Sequence, residues 1–571
     1  MVSGKEDPDV QLERFSQVLN GFNCILNDDM TEARTIFAKD NGSFHLCGRA
    51  VIVFIEAVLT FEPSKFTASL DAITAANKSL EKDRAHAVKH SITLSTFDPG
   101  VEYQVANGLL LILSALIGFC SESIVTSVKA VYKLRKAHII FDKITKKRYE
   151  TFVKGAPPTG DPRRDGINEF VQSATLLCSG LFTLLISLLP PKMIRILNIL
   201  GYNSDRDWAI KTMWTVNHTY PTSFFAAVSF AALIQFYSGA VQLCDIYKTT
   251  PEQPDGWPAG DCFKSLQVIQ KTFPSGPMWP LHRAKLLSMI KQSEEALEVL
   301  DEMLTRPAPQ LKQLQVLIVF EHALDSAFCH KYVESARSFL QLSKLNDSST
   351  ALYSYFAAAC FLQDVRVNGN PQSLSFASSL LEPLYDLVAK TTAPLDIHIR
   401  RKLLKLINRR KTAGGHGGLA EYVGFSPLYE LTYVWNGFRR MNQHELVMFD
   451  LERVEPWQDE DDMACQLLIK VAVLRNLGRV NECFPLLEEL RGMDKKTSER
   501  WAVGFGLYEM AVALYETGST DQTQLKECDR FLKAARDFGS NNEFESRLTI
   551  RVQMARSVVK DALREKHNTR L

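Results

Sequence analysis

Among the apolar residues between Leu286 and Leu304, those at 286, 287 and 290 share a helical spacing, which breaks off and returns at 296, 297, 300, 303 and 304. Each half has helical spacing, but no single stripe joins them, so the pattern predicts two short helices with a turn between. Ser293 is placed to cap the second helix, with Glu294 and Glu295 in its positive first turn. The first helix then ends near Lys291, and the second runs to about Arg306, ahead of Pro307 and Pro309. Seven large apolar side chains cannot by themselves offset the conformational entropy of such a pair, so the hairpin requires neighbours.

The chain supplies neighbours of the same kind. A break followed by a small residue and then a large one recurs at Asn27–Ala33–Phe37, at His330–Ala336–Leu340, at Gly478–Cys483–Leu487 and at Cys528–Leu532. Gly21 and Ala284 lie twelve positions before Ala33 and Ala296, on the facing helix. Small side chains at these places let paired helices approach closely. The pattern predicts an all-α fold of degenerate tetratricopeptide-like helical-hairpin repeats forming an α-solenoid. The run Val51–Ile55 has strand-like composition, but it continues through Leu59 and is assigned to a helix.

Pro/Gly-rich stretches divide the chain. The expected organisation is a disordered terminus at 1–9, helical repeats at 10–154, a linker at 155–166 and an apolar helical block at 167–250. A second linker at 251–261, repeats at 262–392, a basic helix with a Gly-rich loop at 393–424 and final repeats at 425–571 complete it. Three stretches without charge, 103–121, 170–191 and 219–244, are long enough to span a bilayer. Gln104, Asn107, Gln172, Gln235 and Gln242 interrupt them, and buried helices of a helical body are the favoured reading. A lipid-binding or membrane-associated protein using these helices is the alternative.

Charge and cysteine usage narrow the partners. The 571 residues carry a net charge of +1, which gives no global attraction to nucleic acid or to an anionic membrane. The 11 cysteines are scattered singly with no Cys-x-x-Cys pair, as expected for reduced core thiols in a cytosolic compartment. The first residues contain no apolar core of a secretory signal. No Gly-x-x-x-x-Gly-Lys-Ser/Thr, Gly-x-Gly-x-x-Gly or Gly-x-Ser-x-Gly occurs. His86 and His90 have metal-capable spacing without an intervening zincin Glu, and an exposed helical face accounts for them. Asp459–Asp462 suit a helix first turn. No catalytic, cofactor or metal residues are assigned.

One candidate surface remains. Arg400, Arg401, Lys402, Lys405, Arg409, Arg410 and Lys411 form a basic amphipathic helix leading into the loop Gly414–Gly418. It is read either as a solvated face, with Leu403, Leu404 and Ile407 packed inward, or as a surface for an acidic partner or anionic lipid. Lys143, Lys146, Lys147 and Arg148 form a smaller cluster.

Three motifs carry a resemblance to a known family. Leu59-Thr60-Phe61-Glu62-Pro63 is similar to its MTFEP signature, and Phe273-Pro274-Ser275-Gly276 to its FPNG turn. The block from Leu185 through Pro190-Pro191 and Arg195 to Gly201-Tyr202-Asn203-Ser204-Asp205-Arg206 resembles its SLLP…R…GF-G-R hallmark, with Tyr202 and Ser204 departing from it. The chain resembles the fungal inclusion body clearance proteins, relatives of the tetratricopeptide repeat protein 39 family, over about 10–560. The resemblance implies a non-enzymatic helical-repeat adaptor acting in clearance of inclusion bodies after folding stress. Its implied partners are proteins, including lipid-droplet proteins and misfolded-protein inclusions, with no nucleic acid and at most peripheral membrane contact. The implied location is cytoplasmic, with nucleus, puncta at inclusion bodies or lipid droplets, and the mitochondrial outer membrane left open. In the hallmark, Pro190-Pro191 can start a helix, Gly201 can end one, and Ser204-Asp205 can cap the next.

Overall fold

The turns between paired helices explain the split stripes. A computed structural model of the protein describes residues 8–60, 63–120, 124–188, 205–250, 253–346, 349–449, 452–453, 456–519, 521–538 and 543–568. Four predicted breaks are flanked by helices: Pro8–Leu26 with Met30–Ala38, Met278–Met289 with Ser293–Thr305, Lys312–Phe328 with Tyr332–Leu345, and Glu460–Asn476 with Cys483–Gly492. In each turn one residue takes the left-handed conformation: Asp28 (φ 64°), Lys291 (φ 65°), His330 (φ 59°) and Gly478 (φ 78°). The amide after it then reaches back to the last helical turn. Asp29 N donates to Cys24 O at 2.9 Å, Gln292 N to Leu287 O at 3.0 Å, Lys331 N to Ser326 O at 2.8 Å and Arg479 N to Leu474 O at 2.9 Å. These are Schellman bonds, which satisfy a helix-end carbonyl while turning the chain.

Past each turn a small residue is fully buried: Ala33, Ala296, Ser335 and Cys483. In the third hairpin the register belongs to Ser335 rather than to Ala336, although both are buried. The Ser335 hydroxyl donates to the Ala323 carbonyl twelve residues back, at 2.7 Å, and the Cys483 thiol to the Val471 carbonyl over the same interval, at 3.5 Å. Cys528 repeats this with Ala511 at 3.3 Å across a longer turn. At Gly21 an added Cβ would lie 2.5 Å from the Phe37 ring, so the first pair closes only around a glycine. One expectation needs correction. Ser293 is not the cap of its helix; Gln292 holds that position without a side-chain bond, and the Ser293 hydroxyl is buried and donates to the Arg440 carbonyl at 3.5 Å. The Schellman turn already uses the Gln292 amide, and the helix starts one residue beyond it.

The described residues are helical with no named strand; one isolated bridge joins Thr250 and Gln253. The chain divides into two compact units, residues 1–234, 261–279 and 308–314 in one, and 235–260, 280–307 and 315–571 in the other.

The first unit is built on long helices, among them Ser43–Thr60, Pro63–His90, Val101–Cys120, Ile124–Lys154 and Pro162–Ser187. Three windows, Val101–Gly118, Pro162–Ser187 and Phe224–Val241, are long and apolar enough to cross a membrane, and 72%, 83% and 56% of them is buried inside the protein. Some polar groups in and beside them are matched, whereas the buried Gln242 side-chain nitrogen has no partner among the described residues. Gln172 accepts from the Ala156 amide at 3.2 Å, Asn107 donates to Asn77 at 3.1 Å, and Asn168 accepts from the Thr96 amide at 2.9 Å. His86 and His90 are both exposed. The ten cysteines described are free thiols, eight of them buried.

Of the family-like motifs, Phe273–Gly276 is fully described. Ser275 N donates to Asn27 at 3.2 Å, and a Cβ on Gly276 would lie 2.1 Å from the Leu26 carbonyl oxygen. Glycine is required there because the turn rests on the backbone that ends the first helix. Phe61 and Glu62 of the first motif, and 189–204 of the hallmark, lie outside the described residues. At the hallmark's end Asp205 does cap, accepting from Trp208 N at 3.0 Å.

Glu102 is one of several buried side chains of this unit, with His45 and Ser69, whose polar atoms have no partner among the described residues. It is 1% exposed, neither carboxyl oxygen has a partner in another described residue, and burial pushes its pKa up to about 7. The folded protein therefore holds a proton that the unfolded chain releases near 4.5. Stability is expected to fall as pH rises from about 4.5 to 7, by about 3 kcal/mol from this group. Glu102→Gln is expected to abolish that slope in urea denaturation series run across this range and to stabilise the protein at pH 8.

Candidate functional site

The basic row lies on the helix Pro394–Thr412 in the second unit. Pro394 opens the helix, Asp396 sits in its first turn, and Arg409, Arg410 and Lys411 occupy its last, each favoured by the helix dipole. Ile399, Leu403 and Leu406 form the buried stripe. Leu404, expected inside, is 39% exposed, and Ile407 is half-buried. The inward face also takes Lys402 and His398, which moves the stripe off the positions that composition alone suggested.

Most of the row meets carboxylates from elsewhere in the same unit. Lys402 Nζ lies 2.8 Å from Glu430 and 2.9 Å from Glu499, all three nearly fully buried. Arg401 contacts Glu499 at 2.7 Å and Glu543 at 3.0 Å. Lys405 contacts Asp459 at 2.6 Å and Asp461 at 3.4 Å. Arg409 pairs with Asp459 at 2.7 Å, pairs with Asp462, and donates to the Tyr422 carbonyl at 3.1 Å. Arg410 pairs with Glu382 at 2.6 Å, and Arg400 donates to the Ala389 carbonyl at 2.9 Å. Lys411 is exposed at the start of the loop, where Gly414, Gly415 and Gly417 all have positive φ.

The electrostatics follow from these pairings. Burial alone would raise Glu499, but Lys402 and Arg401 hold it well below the usual carboxylate range. Glu430 is pushed up, by burial first, and shares its lysine with Glu499. His398 is driven well below its ordinary value by burial and by Lys402, so it is neutral. Asp459 is lowered against its own burial by hydrogen bonds from Lys405 and Arg409. Asp459 also caps the helix Glu460–Asn476 in a capping box with Asp462, the first-turn role expected for these acids. Sequence reasoning missed Glu430 and Glu499 as partners. The signal was present in Glu430, a lone carboxylate in the apolar run Pro427–Val434.

Beside the ion pairs runs an open groove of about 490 Å³, lined by Leu404, Asn408 and Thr412 on the helix and by Trp457 and Ser498 across from it. It offers apolar contact and hydrogen bonding to an extended segment. Within it the Ser498 hydroxyl donates to Asp461 at 2.7 Å, and among the described residues no group of three or more His, Cys, Asp or Glu is arranged for a metal ion.

A second buried charge centre is structural. Arg475 reaches Asp245 at 2.9 Å, Glu509 at 2.8 Å and Glu516 at 3.2 Å. Arg439 donates to the carbonyls of Val241 at 2.7 Å and Asp255 at 3.0 Å, and to that of Cys244. Arg551 is boxed by the rings of Tyr433, Phe505 and Tyr508, 5.0, 5.2 and 5.9 Å away. These contacts fasten the irregular segment after Val241 to the helices of the same unit.

Helix pairs joined by Schellman turns and closing on small residues define a helical-repeat protein. The Iml2/Tetratricopeptide repeat protein 39 family model matches residues 19–477, and the chain belongs to that family. It is 64% identical to "Inclusion body clearance protein IML2" of Schizosaccharomyces pombe, over 97% of this chain and 98% of the relative. It is 26% identical to "Inclusion body clearance protein iml2" of Aspergillus fumigatus, over 89% and 85% of the two chains. The corresponding protein of Yarrowia lipolytica is 24% identical, over 81% and 80%. Yeast Tom70 aligns over 99% of this chain and 97% of its own at 10% identity, with a TM-score of 0.28, too low to establish a shared arrangement.

Lys402→Met is expected to lower stability by about 3–5 kcal/mol, because it leaves Glu430 and Glu499 buried without their shared cation. Lys411→Met is expected to change it by less than about 0.5 kcal/mol. Guanidinium denaturation of the two variants checks the contrast.

Proposed function

We propose that the protein is a non-enzymatic helical-repeat adaptor acting in clearance of protein inclusion bodies after folding stress, in association with lipid-droplet proteins. The observation that carries the reading is the 64% identity, across nearly the whole chain, to a relative named for inclusion body clearance. Stacked helix pairs support it, since such repeats present extended surfaces to other proteins. The groove along Leu404, Asn408 and Trp457 is the candidate seat for a partner segment. The proposed location is the cytoplasm, with the nucleus as a further site and puncta at inclusion bodies or lipid droplets.

A membrane-associated protein using the apolar helices is the second reading. The length and composition of the three windows favour it, whereas their burial within the protein favours the adaptor. Carbonate extraction distinguishes the two, because an adaptor is released into the supernatant.

Cells lacking the protein are expected to retain heat-induced inclusion bodies longer than cells carrying it, and re-expression of the full chain to restore clearance. Time-lapse counting of a fluorescent misfolded reporter checks this. Equal clearance in both strains contradicts the reading.

A further inference from the structure

The two basic segments of the sequence have different fates. The row on Pro394–Thr412 is largely occupied by carboxylates of its own unit. The helix Ile124–Lys154, in the first unit, holds Lys129, Arg135, Lys136 and Lys143 outside. Lys129, Tyr132, Lys136, Ile139 and Lys143 are all exposed, at intervals of three and four residues, so they share one face; Arg135 is exposed beside them. Tyr132 is 70% exposed and Ile139 56%. The opposite face is used internally: Lys133 donates to Ser114 at 2.6 Å, His138 stacks on Phe182, and Leu134, Ala137 and Phe141 are buried. The ion pair described for the outer face is Lys136 with Glu81, at 3.3 Å and well exposed on both sides. Asp142, the one acid between 129 and 143, is half-buried.

We propose that this face docks on an anionic phospholipid surface, with Lys129, Arg135, Lys136 and Lys143 at the headgroups and Tyr132 and Ile139 entering the interface. The alternation of cation and apolar residue distinguishes this occupant from a protein helix. An apolar seam on a protein partner would bury each ammonium unless carboxylates stood in register with it. A lipid surface supplies laterally mobile anions with no register, and tyrosine suits the headgroup level. With a net charge of only +1 the chain has no global attraction, so contact depends on this local array. The site is distinct from the three apolar windows, and its test does not depend on the adaptor reading.

The test is flotation of the full-length protein with vesicles of phosphatidylcholine alone and of phosphatidylcholine with about 30% phosphatidylserine. Binding is expected only to the anionic vesicles and is expected to be lost at about 0.5 M salt. Lys129→Glu/Lys136→Glu/Lys143→Glu is expected to weaken it by more than about 100-fold, at roughly fivefold or more per charge removed. Lys129→Gln/Lys136→Gln/Lys143→Gln, which adds no repulsion and guards against a folding defect, is expected to weaken it by about 100-fold, at the same roughly fivefold for each of three charges. Lys495→Glu/Lys496→Glu, at exposed lysines of the other unit, is expected to bind as the unaltered protein does. The proposal is overturned if the protein binds neither vesicle, if it binds both equally, or if the neutral triple variant with an unchanged melting temperature binds as tightly as the original.

Discussion

The helix pairs depend on one backbone event, a residue in left-handed conformation between two helices. At Asp28, Lys291, His330 and Gly478 it directs the next amide to the carbonyl five residues back. The Schellman bond ends the first helix and sets the direction in which the second leaves. Three of the four positions are not glycine, and the conformation costs an L-residue roughly 1 kcal/mol. It persists because the second helix then lies against the first, with Ala33, Ala296, Ser335 or Cys483 at the crossing. Larger side chains at these places would hold the helices apart. The same closeness lets Ser335, Cys483 and Cys528 donate to a carbonyl of the facing helix, so a small polar side chain serves where alanine does.

Buried charge is the second constraint. The Lys402–Glu430–Glu499 group and the Arg475 centre each gather residues far apart in sequence within one unit. A buried ion pair adds little net stability relative to apolar packing, but breaking one is costly. Such groups therefore hold the irregular segments in a single arrangement. Arg439 does so directly, with its guanidinium bonded to three carbonyls of the segment 241–255.

The hairpins were legible in the sequence because their signals are local: a break in the apolar stripe, a small residue past it and a second one on the facing helix. The errors were also local. Ser293 has the composition of a cap, but Gln292 fills that place because the turn before it uses its amide. The basic row shows where local reading ends. Arg401 through Arg410 carry the composition of an open cationic face, but their partners Glu382, Glu430, Asp459, Glu499 and Glu543 lie from tens of residues to more than a hundred away in the chain. Only the fold brings them together. Conversely, Tyr132 and Ile139 look like core residues in the sequence, and only the packing of Leu134, Ala137 and Phe141 leaves them outside.

Amide hydrogen exchange on the intact protein tests most directly whether these turns are fixed structural elements rather than loops. The amides of Asp29, Gln292, Lys331 and Arg479 are predicted to exchange as slowly as those in the middle of the flanking helices, since each opens only when its hairpin does. Exchange at these four as fast as at the exposed amides of His416 and Gly417 would contradict the account.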